Sequence, residues 1–74
     1  MKIRTFTVVV ETDPDSGWLV GEVPELPGCF TEAPDLPTLH RNIWEAIVGF
    51  LKVAEPESPV PTEFYEHWQL KAIA

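Results

Sequence analysis

The chain has 74 residues and a net charge of −7 at neutral pH. A chain this short forms one domain with a small core, and Cys29, its single cysteine, excludes a scaffold of internal disulfides. The acidity argues against direct nucleic-acid binding, because phosphate backbones repel acidic surfaces. We expect a cytoplasmic protein, since the N-terminus lacks the pattern of a signal peptide and no apolar run approaches the roughly 20 residues of a membrane span.

The first half of the sequence predicts three strands. Residues 3–11 are rich in β-branched side chains, and residues 18–23 form a second apolar run. Residues 12–17 between them contain Asp, Pro, Ser and Gly, which favour a turn, so these two strands form a hairpin. The Pro-rich residues 24–28 predict a rigid loop, and residues 29–32 predict a short third strand.

An amphipathic helix is predicted next. Asp35 is a good N-cap, and the helical pattern continues to about Glu55. The predicted buried stripe consists of Leu36, Leu39, His40, Ile43, Ala46, Ile47, Phe50 and Ala54, flanked by Trp44 and Leu51. His40 is interpreted as a hydrogen-bonded histidine at the edge of the core.

The second half completes one domain over residues 1–74. We predict a core of residues 1–55, a Pro-rich linker over 56–67 and a final strand over 68–73, with Trp68, Leu70 and Ala72 on one face. Residues 64–67 also fit a helical turn. The resulting order, β-β-β-α-β, is that of an α+β two-layer domain.

Apolar side chains on both faces of the hairpin indicate an interface. One face would carry Phe6, Val8, Val10, Leu19 and Val23, and the other would carry Val9, Trp18 and Val20. A single helix covers only one face. We therefore expect a homo-oligomer, dimer or higher, or a partner on the second face. The alternative is that the segment around Phe64 and Tyr65 folds over it.

The run from Gly17 to Cys29, GWLVGEVPELPGC, resembles the signature of the HicB family, the antitoxins of bacterial toxin–antitoxin pairs. In that family a strand leads into a Pro-x-Leu-Pro-Gly-Cys turn, here residues 24–29. A helix with an Asn-x-x-Glu-Ala-Ile pattern follows, and residues 42–47 match it. The acidic turn over residues 13–17 is also typical, so the resemblance covers residues 3–55.

The resemblance implies a partial RNase H-like (HicB-like) fold. It also implies a function, the neutralisation of a small basic RNA-cleaving toxin by masking its RNA-binding surface and active site. The sequence departs from the family at His40, where an apolar residue is usual. Many members also continue into a DNA-binding domain, whereas this sequence ends at Ala74. We therefore expect no operator binding by this chain.

The candidate residues form two sets, one for binding a partner and one with a structural role. An acidic surface suits a basic partner, and the candidate partner-binding residues are Glu11, Asp13, Asp15, Trp18, Val20, Glu22, Glu25 and Leu26. Those assigned a structural role are Pro24, Pro27, Gly28 and Cys29. The loop that contains them also suits a preformed contact surface, and Leu26 also suits the edge of the core.

Three kinds of chemistry are disfavoured. Thiol catalysis by Cys29 lacks a recognisable base. A metal-dependent nuclease site would use four carboxylates near the hairpin, Glu11, Asp13, Asp15 and Glu22, but the chain lacks the basic residues that hold RNA. Zinc ligation is disfavoured by the spacing of Cys29, His40 and His67. We expect no enzyme, cofactor or metal. The alternative to an antitoxin is an orphan homo-oligomeric interaction module without a toxin partner.

Overall fold

The computed structural model describes residues 3–59 and 63–71 and contains one sheet and one helix. The elements are β1 (Thr5–Thr12), β2 (Leu19–Glu22), β3 (Phe30–Ala33), α1 (Leu36–Ala54) and β4 (Tyr65–Leu70). The strand order across the sheet is β3-β2-β1-β4. The β1–β2 and β2–β3 pairs are antiparallel, whereas β4 joins β1 in parallel. The predicted α+β two-layer order is confirmed, and it is compatible with the partial RNase H-like fold.

The position of the last strand differs from the prediction. β4 begins at Tyr65 and ends at Leu70, so residues 65–67 of the predicted linker are strand and the helical alternative for them is wrong. Its register pairs Thr5 with Tyr65 and Val10 with Leu70. The polar residues of β4 give a weak local pattern, so pairing with β1 decides its structure. Ala72, placed on one face of the predicted strand, lies outside the described residues.

Helix α1 begins where the sequence predicts. Asp35 has an extended backbone, and its side chain accepts a hydrogen bond of 2.8 Å from the backbone N–H of Thr38. This bond satisfies one of the N–H groups that lack a partner in the first turn. Hydrogen bonding from the side chain and the backbone N–H of Thr38 lowers the pKa of Asp35. Pro37 also lies in the first turn. Its missing N–H costs no hydrogen bond there, because N–H groups of the first turn have no partner within the helix.

The buried side chains of α1 agree only in part with the predicted stripe. Its buried side chains are Leu39, Ile43, Ile47 and Leu51. Leu51 was expected only to flank the stripe, whereas Leu36, His40 and Ala54 are exposed. Leu36 and Ala54 lie at the two ends of the helix, and His40 lies towards β4, beside rather than above the strands β2 and β3 that α1 covers. His40 is not at the core edge, and its ring stacks on Trp68 with the centroids 5.5 Å apart.

The core lies between α1 and the sheet. β1 contributes Phe6, Val8 and Val10, and the loop after β2 contributes Val23, Leu26 and Cys29. The helix packs closely on β2 at Gly21, where an added Cβ would lie 3.0 Å from Cδ1 of Ile43. A side chain at this position would therefore hold the helix away from the sheet.

Two consecutive turns shape the loop between β2 and β3. The N–H of Leu26 donates to the carbonyl of Val23 at 3.0 Å, and the N–H of Cys29 donates to that of Leu26 at 2.9 Å. Pro27 and Gly28 occupy the centre of the second turn, and Gly28 has a φ of 85°. Proline followed by a residue with positive φ is the pattern of a type II turn. Two hydrogen-bonded turns and two prolines therefore define the path of this loop.

Candidate partner-binding face

The candidate site is the face of the sheet opposite α1, here called the outer face. Strand register places alternate residues of β1, β2 and β3 on it. Val9 lies opposite Glu22, and Glu11 lies opposite Val20. On the other side of β2, Phe30 of β3 lies opposite Glu22, and Glu32 lies opposite Val20. No helix or strand among residues 3–59 and 63–71 packs on this face.

The segment around Phe64 and Tyr65 does not cover the outer face. The ring of Phe64 lies on the helix side, 5.4 Å from the ring of Phe6 and 6.1 Å from that of Trp44, centroid to centroid. Tyr65 pairs with Thr5 and its side chain is exposed. Phe30, on the outer face, is 67% exposed. The alternative in which this segment folds over the second face is therefore wrong.

A groove of about 220 Å³ runs along the outer face. Its lining is partly apolar and partly charged, and consists of Val9, Glu11, Val20, Glu22, Pro24 and Lys71. The ammonium of Lys71 lies 2.7 Å from Oε1 of Glu11, and this hydrogen bond raises the pKa of Lys71. Within the described residues, Glu22 and Glu32 form no ion pair. The groove can therefore accept a further cationic group.

Glu25 has a structural role that the sequence did not reveal. Its carboxylate accepts hydrogen bonds from the backbone N–H of Thr7, at 2.9 and 3.0 Å, and from the Thr7 hydroxyl at 2.7 Å. Partial burial raises the pKa of Glu25, but the bonds from Thr7 outweigh that effect and the pKa is lowered. Glu25 thus ties the loop to β1 where the pairing with β2 has ended.

The remaining candidates divide between the turn and the core. Asp13 and Asp15 lie in the hairpin turn, where Oδ1 of Asp13 accepts from the N–H of Asp15 at 2.8 Å. Trp18 lies beside them and is exposed. Leu26 is only 5% exposed, so its assignment as a contact residue was wrong. It fills the core edge because the two turns direct it inward.

The structure thus brings Glu11, Val20 and Glu22 together. It adds residues that the sequence analysis did not propose for the site: Val9, Pro24, Phe30, Glu32 and Lys71. Alternation along β3 could have identified Phe30 and Glu32. Lys71 could not be placed, because its position depends on the register of β4.

The four residues assigned a structural role lie in the loop. Pro24 and Pro27 follow the first residue of each turn, and Gly28 adopts the positive φ. Cys29 is buried, and burial raises the pKa of its thiol, which disfavours the reactive thiolate. Among the residues described, no three His, Cys, Asp or Glu side chains are grouped to hold a metal ion. No described helix has the length and apolar character needed to cross a membrane.

Comparison with known proteins identifies relatives without an assigned activity. No protein-family model matches the chain, and no solved structure matches it significantly. A UPF0150 protein from Archaeoglobus fulgidus is 46% identical over 48 residues, which cover 65% of this chain and 68% of the relative. A second, from Thermotoga maritima, is 35% identical over 54 residues, 73% of this chain and 72% of the relative. A third, from Synechocystis sp., is 38% identical over 58 residues, 78% of this chain and 83% of the relative. The chain therefore belongs to the UPF0150 family.

Proposed function

We propose that this chain is a HicB-like, antitoxin-type binding domain that neutralises a small basic RNA-cleaving toxin by masking it. The observation that carries the proposal is the outer face, which combines apolar side chains with carboxylates. A solvated face of a sheet is normally polar, whereas here the half-buried Val9 and Val20 and the exposed Phe30 alternate with glutamates. Apolar surface bordered by charge is typical of a protein interface.

The groove on the outer face suits a Lys or Arg side chain of the partner. The apolar part of such a side chain would lie on Val9 and Val20, and its charged end would lie between Glu11 and Glu22. Lys71 supports this model, since its ammonium already binds Glu11. Opposite charge on the two surfaces would raise the rate of association and disfavour acidic proteins.

Masking requires no chemistry from this chain. A toxin that cleaves RNA needs a basic surface for the phosphate backbone. A carboxylate-bearing face that covers this surface competes directly with RNA. Inhibition is then stoichiometric, and one bound domain removes one active toxin. The sequence motifs at residues 24–29 and 42–47 give the proposal its family.

The test is to sequence the neighbouring genes and to co-express the chain with any small basic protein that they encode. We expect a stable complex at micromolar concentration and loss of RNA cleavage at one domain per toxin. Glu22→Lys should weaken binding by about tenfold or more, because it places like charges together at the interface. Glu45→Lys is the matched control, since Glu45 is exposed on α1, and it should bind normally.

Absence of a complex, or equal weakening by both substitutions, would contradict the masking model. In that case the alternative of an orphan homo-oligomeric module would gain support, especially if no neighbouring gene encodes a basic protein.

A further inference from the structure

The outward edge of β4 carries hydrogen-bonding groups without a neighbouring strand. The N–H of Tyr65 donates to the carbonyl of Arg4 at 2.8 Å, and the N–H of Lys71 donates to that of Val10 at 2.9 Å. Odd-numbered residues of β4 therefore face β1. Backbone N–H and C=O groups alternate in direction along a strand. Those of Glu66, Trp68 and Leu70 therefore point away from the sheet. Among the described strands, none lies on that side.

The two edges of the sheet differ in how they are protected. β3 has four residues, carries Glu32 and is followed by Pro34. β4 has six residues and contains neither proline nor lysine. Shortness, charge and proline are the usual means by which proteins prevent strand addition at an edge. β4 is longer and has no proline, and its one acidic side chain, Glu66, is only 11% exposed, although Lys71 follows its last residue. Its edge is therefore less protected than that of β3.

An apolar groove of about 410 Å³ lies beside this edge on the helix side. It is lined by Leu36, Pro37, His40, Trp68 and Leu70. Leu70 is 64% exposed. The groove exists because α1 lies over β2 and β3 and meets β4 only through side chains such as His40, whose ring stacks on Trp68. A strand added to β4 would place alternate side chains on the same side of the sheet as this groove.

Charge favours a second copy of this chain as the occupant. Glu66 is the one acidic residue of β4, its side chain is only 11% exposed, and it accepts a 3.0 Å hydrogen bond from Nε1 of Trp68. The free carboxylates Glu22 and Glu32 lie on the outer face, which would attract a basic partner. Two copies that each carry a charge of −7 repel one another least where few carboxylates are exposed.

We propose that two copies associate through antiparallel pairing of their β4 strands about a two-fold axis at Trp68. In this register Trp68 faces Trp68 of the second copy, and Glu66 faces Leu70, so no like charges are opposed. The two four-stranded sheets become one continuous sheet. Both helices lie on one side of it and both outer faces on the other. This dimer is independent of the proposed function, because it uses a different surface.

The test compares two substitutions of Leu70 by light scattering and sedimentation of the full chain. The wild-type chain should be dimeric at high micromolar concentration. Leu70→Glu opposes Glu66 of the second copy at two symmetric positions and should raise the dimer dissociation constant by about tenfold or more. Leu70→Lys, which pairs with that Glu66, should remain more strongly dimeric than Leu70→Glu. Val53→Glu, on an exposed helix position, should leave the dimer unchanged.

Amide hydrogen exchange provides a second measurement. In the wild-type chain the N–H groups of Trp68 and Leu70 should be protected, and dilution or Leu70→Glu should remove that protection. The N–H groups of His67 and Gln69, which face β1, should stay protected throughout and thereby report that the variant is folded. A monomeric wild-type chain, or equal dimerisation of the Glu and Lys variants, would overturn the proposal.

Discussion

At the scale of single residues, Glu25 shows how a charged side chain can complete a sheet. β2 pairs with β1 only from Val9 onward, so the N–H of Thr7 has no strand partner on that side. The carboxylate of Glu25 replaces the missing strand and accepts both the N–H and the hydroxyl of Thr7. Hydrogen bonds to an ionised acceptor are stronger than neutral ones, so this contact anchors the loop.

The lowered pKa of Glu25 predicts a pH dependence of stability. Its folded-state pKa lies below its ordinary value of 4.5. Its contribution is therefore complete above that value and is lost as the pH falls through the lowered folded pKa. Glu25→Gln should reduce the free energy of unfolding at neutral pH and make its decline in acid shallower, as measured by urea denaturation followed by tryptophan fluorescence.

Glu45→Gln serves as the control for this experiment, because Glu45 is exposed on the helix and should leave the acid decline unchanged. Some decline should remain in Glu25→Gln, since Asp35 also has a lowered pKa. An unchanged acid decline in Glu25→Gln would show that Thr7 does not favour the ionised carboxylate.

At the scale of elements, the placement of α1 determines both candidate surfaces. Gly21 lets the helix approach β2, where Ile43 lies against the glycine Cα. With the helix over β2 and β3, the groove beside β4 stays open. The sheet has a single helical layer, so its other face is available for binding.

Gly21→Ala should destabilise the fold by about 1–3 kcal/mol, because overpacking in a rigid core forces side chains from their preferred positions. The new Cβ would lie 3.0 Å from Cδ1 of Ile43. Ile43→Val removes that atom, so the double variant should be more stable than the sum of the two single effects predicts. Thermal or urea unfolding of the four proteins measures this coupling. Additive effects would show that Ile43 does not restrict the position.

Gly49→Ala controls for the added methyl group. Gly49 lies within α1 and its Cβ position is open. This substitution should stabilise the chain, because alanine favours a helix by about 1 kcal/mol over glycine.

The success of sequence reasoning differed between local and non-local features. The hairpin, the Pro-Gly loop and the N-cap at Asp35 were predicted because their signals lie within a few residues of one another. The stripe was correct for Leu39, Ile43 and Ile47 but wrong for His40 and Leu51, because periodicity gives the apolar side of a helix but not the strands on which it packs. β4 and Lys71 were misplaced or missed, since their positions depend on pairing with β1, far away in the sequence.

At the scale of the whole molecule, the proposed binding surfaces are separate. The outer face carries the exposed carboxylates of Glu22 and Glu32, whereas the one acidic side chain of β4, Glu66, is only 11% exposed. A two-fold dimer would place two outer faces on one side of a continuous sheet. Each dimer would then present two toxin-binding outer faces, and dimerisation would change neither of them.

Separation of the surfaces predicts that their variants act independently. Glu22→Lys should weaken toxin binding and leave the dimer intact, whereas Leu70→Glu should yield a monomer that binds toxin with the wild-type intrinsic affinity. Toxin affinity should fall with added salt, because exposed charges are screened within about 10 Å at 0.1 M ionic strength. Light scattering and calorimetric titration of both variants measure these effects. Loss of toxin binding in a folded Leu70→Glu monomer would show that the surfaces are coupled.

The parallel pairing of β1 with β4 has a further consequence for synthesis. It joins residues 5–10 to residues 65–70, and contacts between such distant segments form slowly. On the ribosome, the hairpin emerges well before β4, so one edge of β1 stays open in the nascent chain. Two chains made close together could then exchange their β4 strands, which is a recognised route to intertwined dimers. The spacing of ribosomes on a message would thus influence how this small protein assembles.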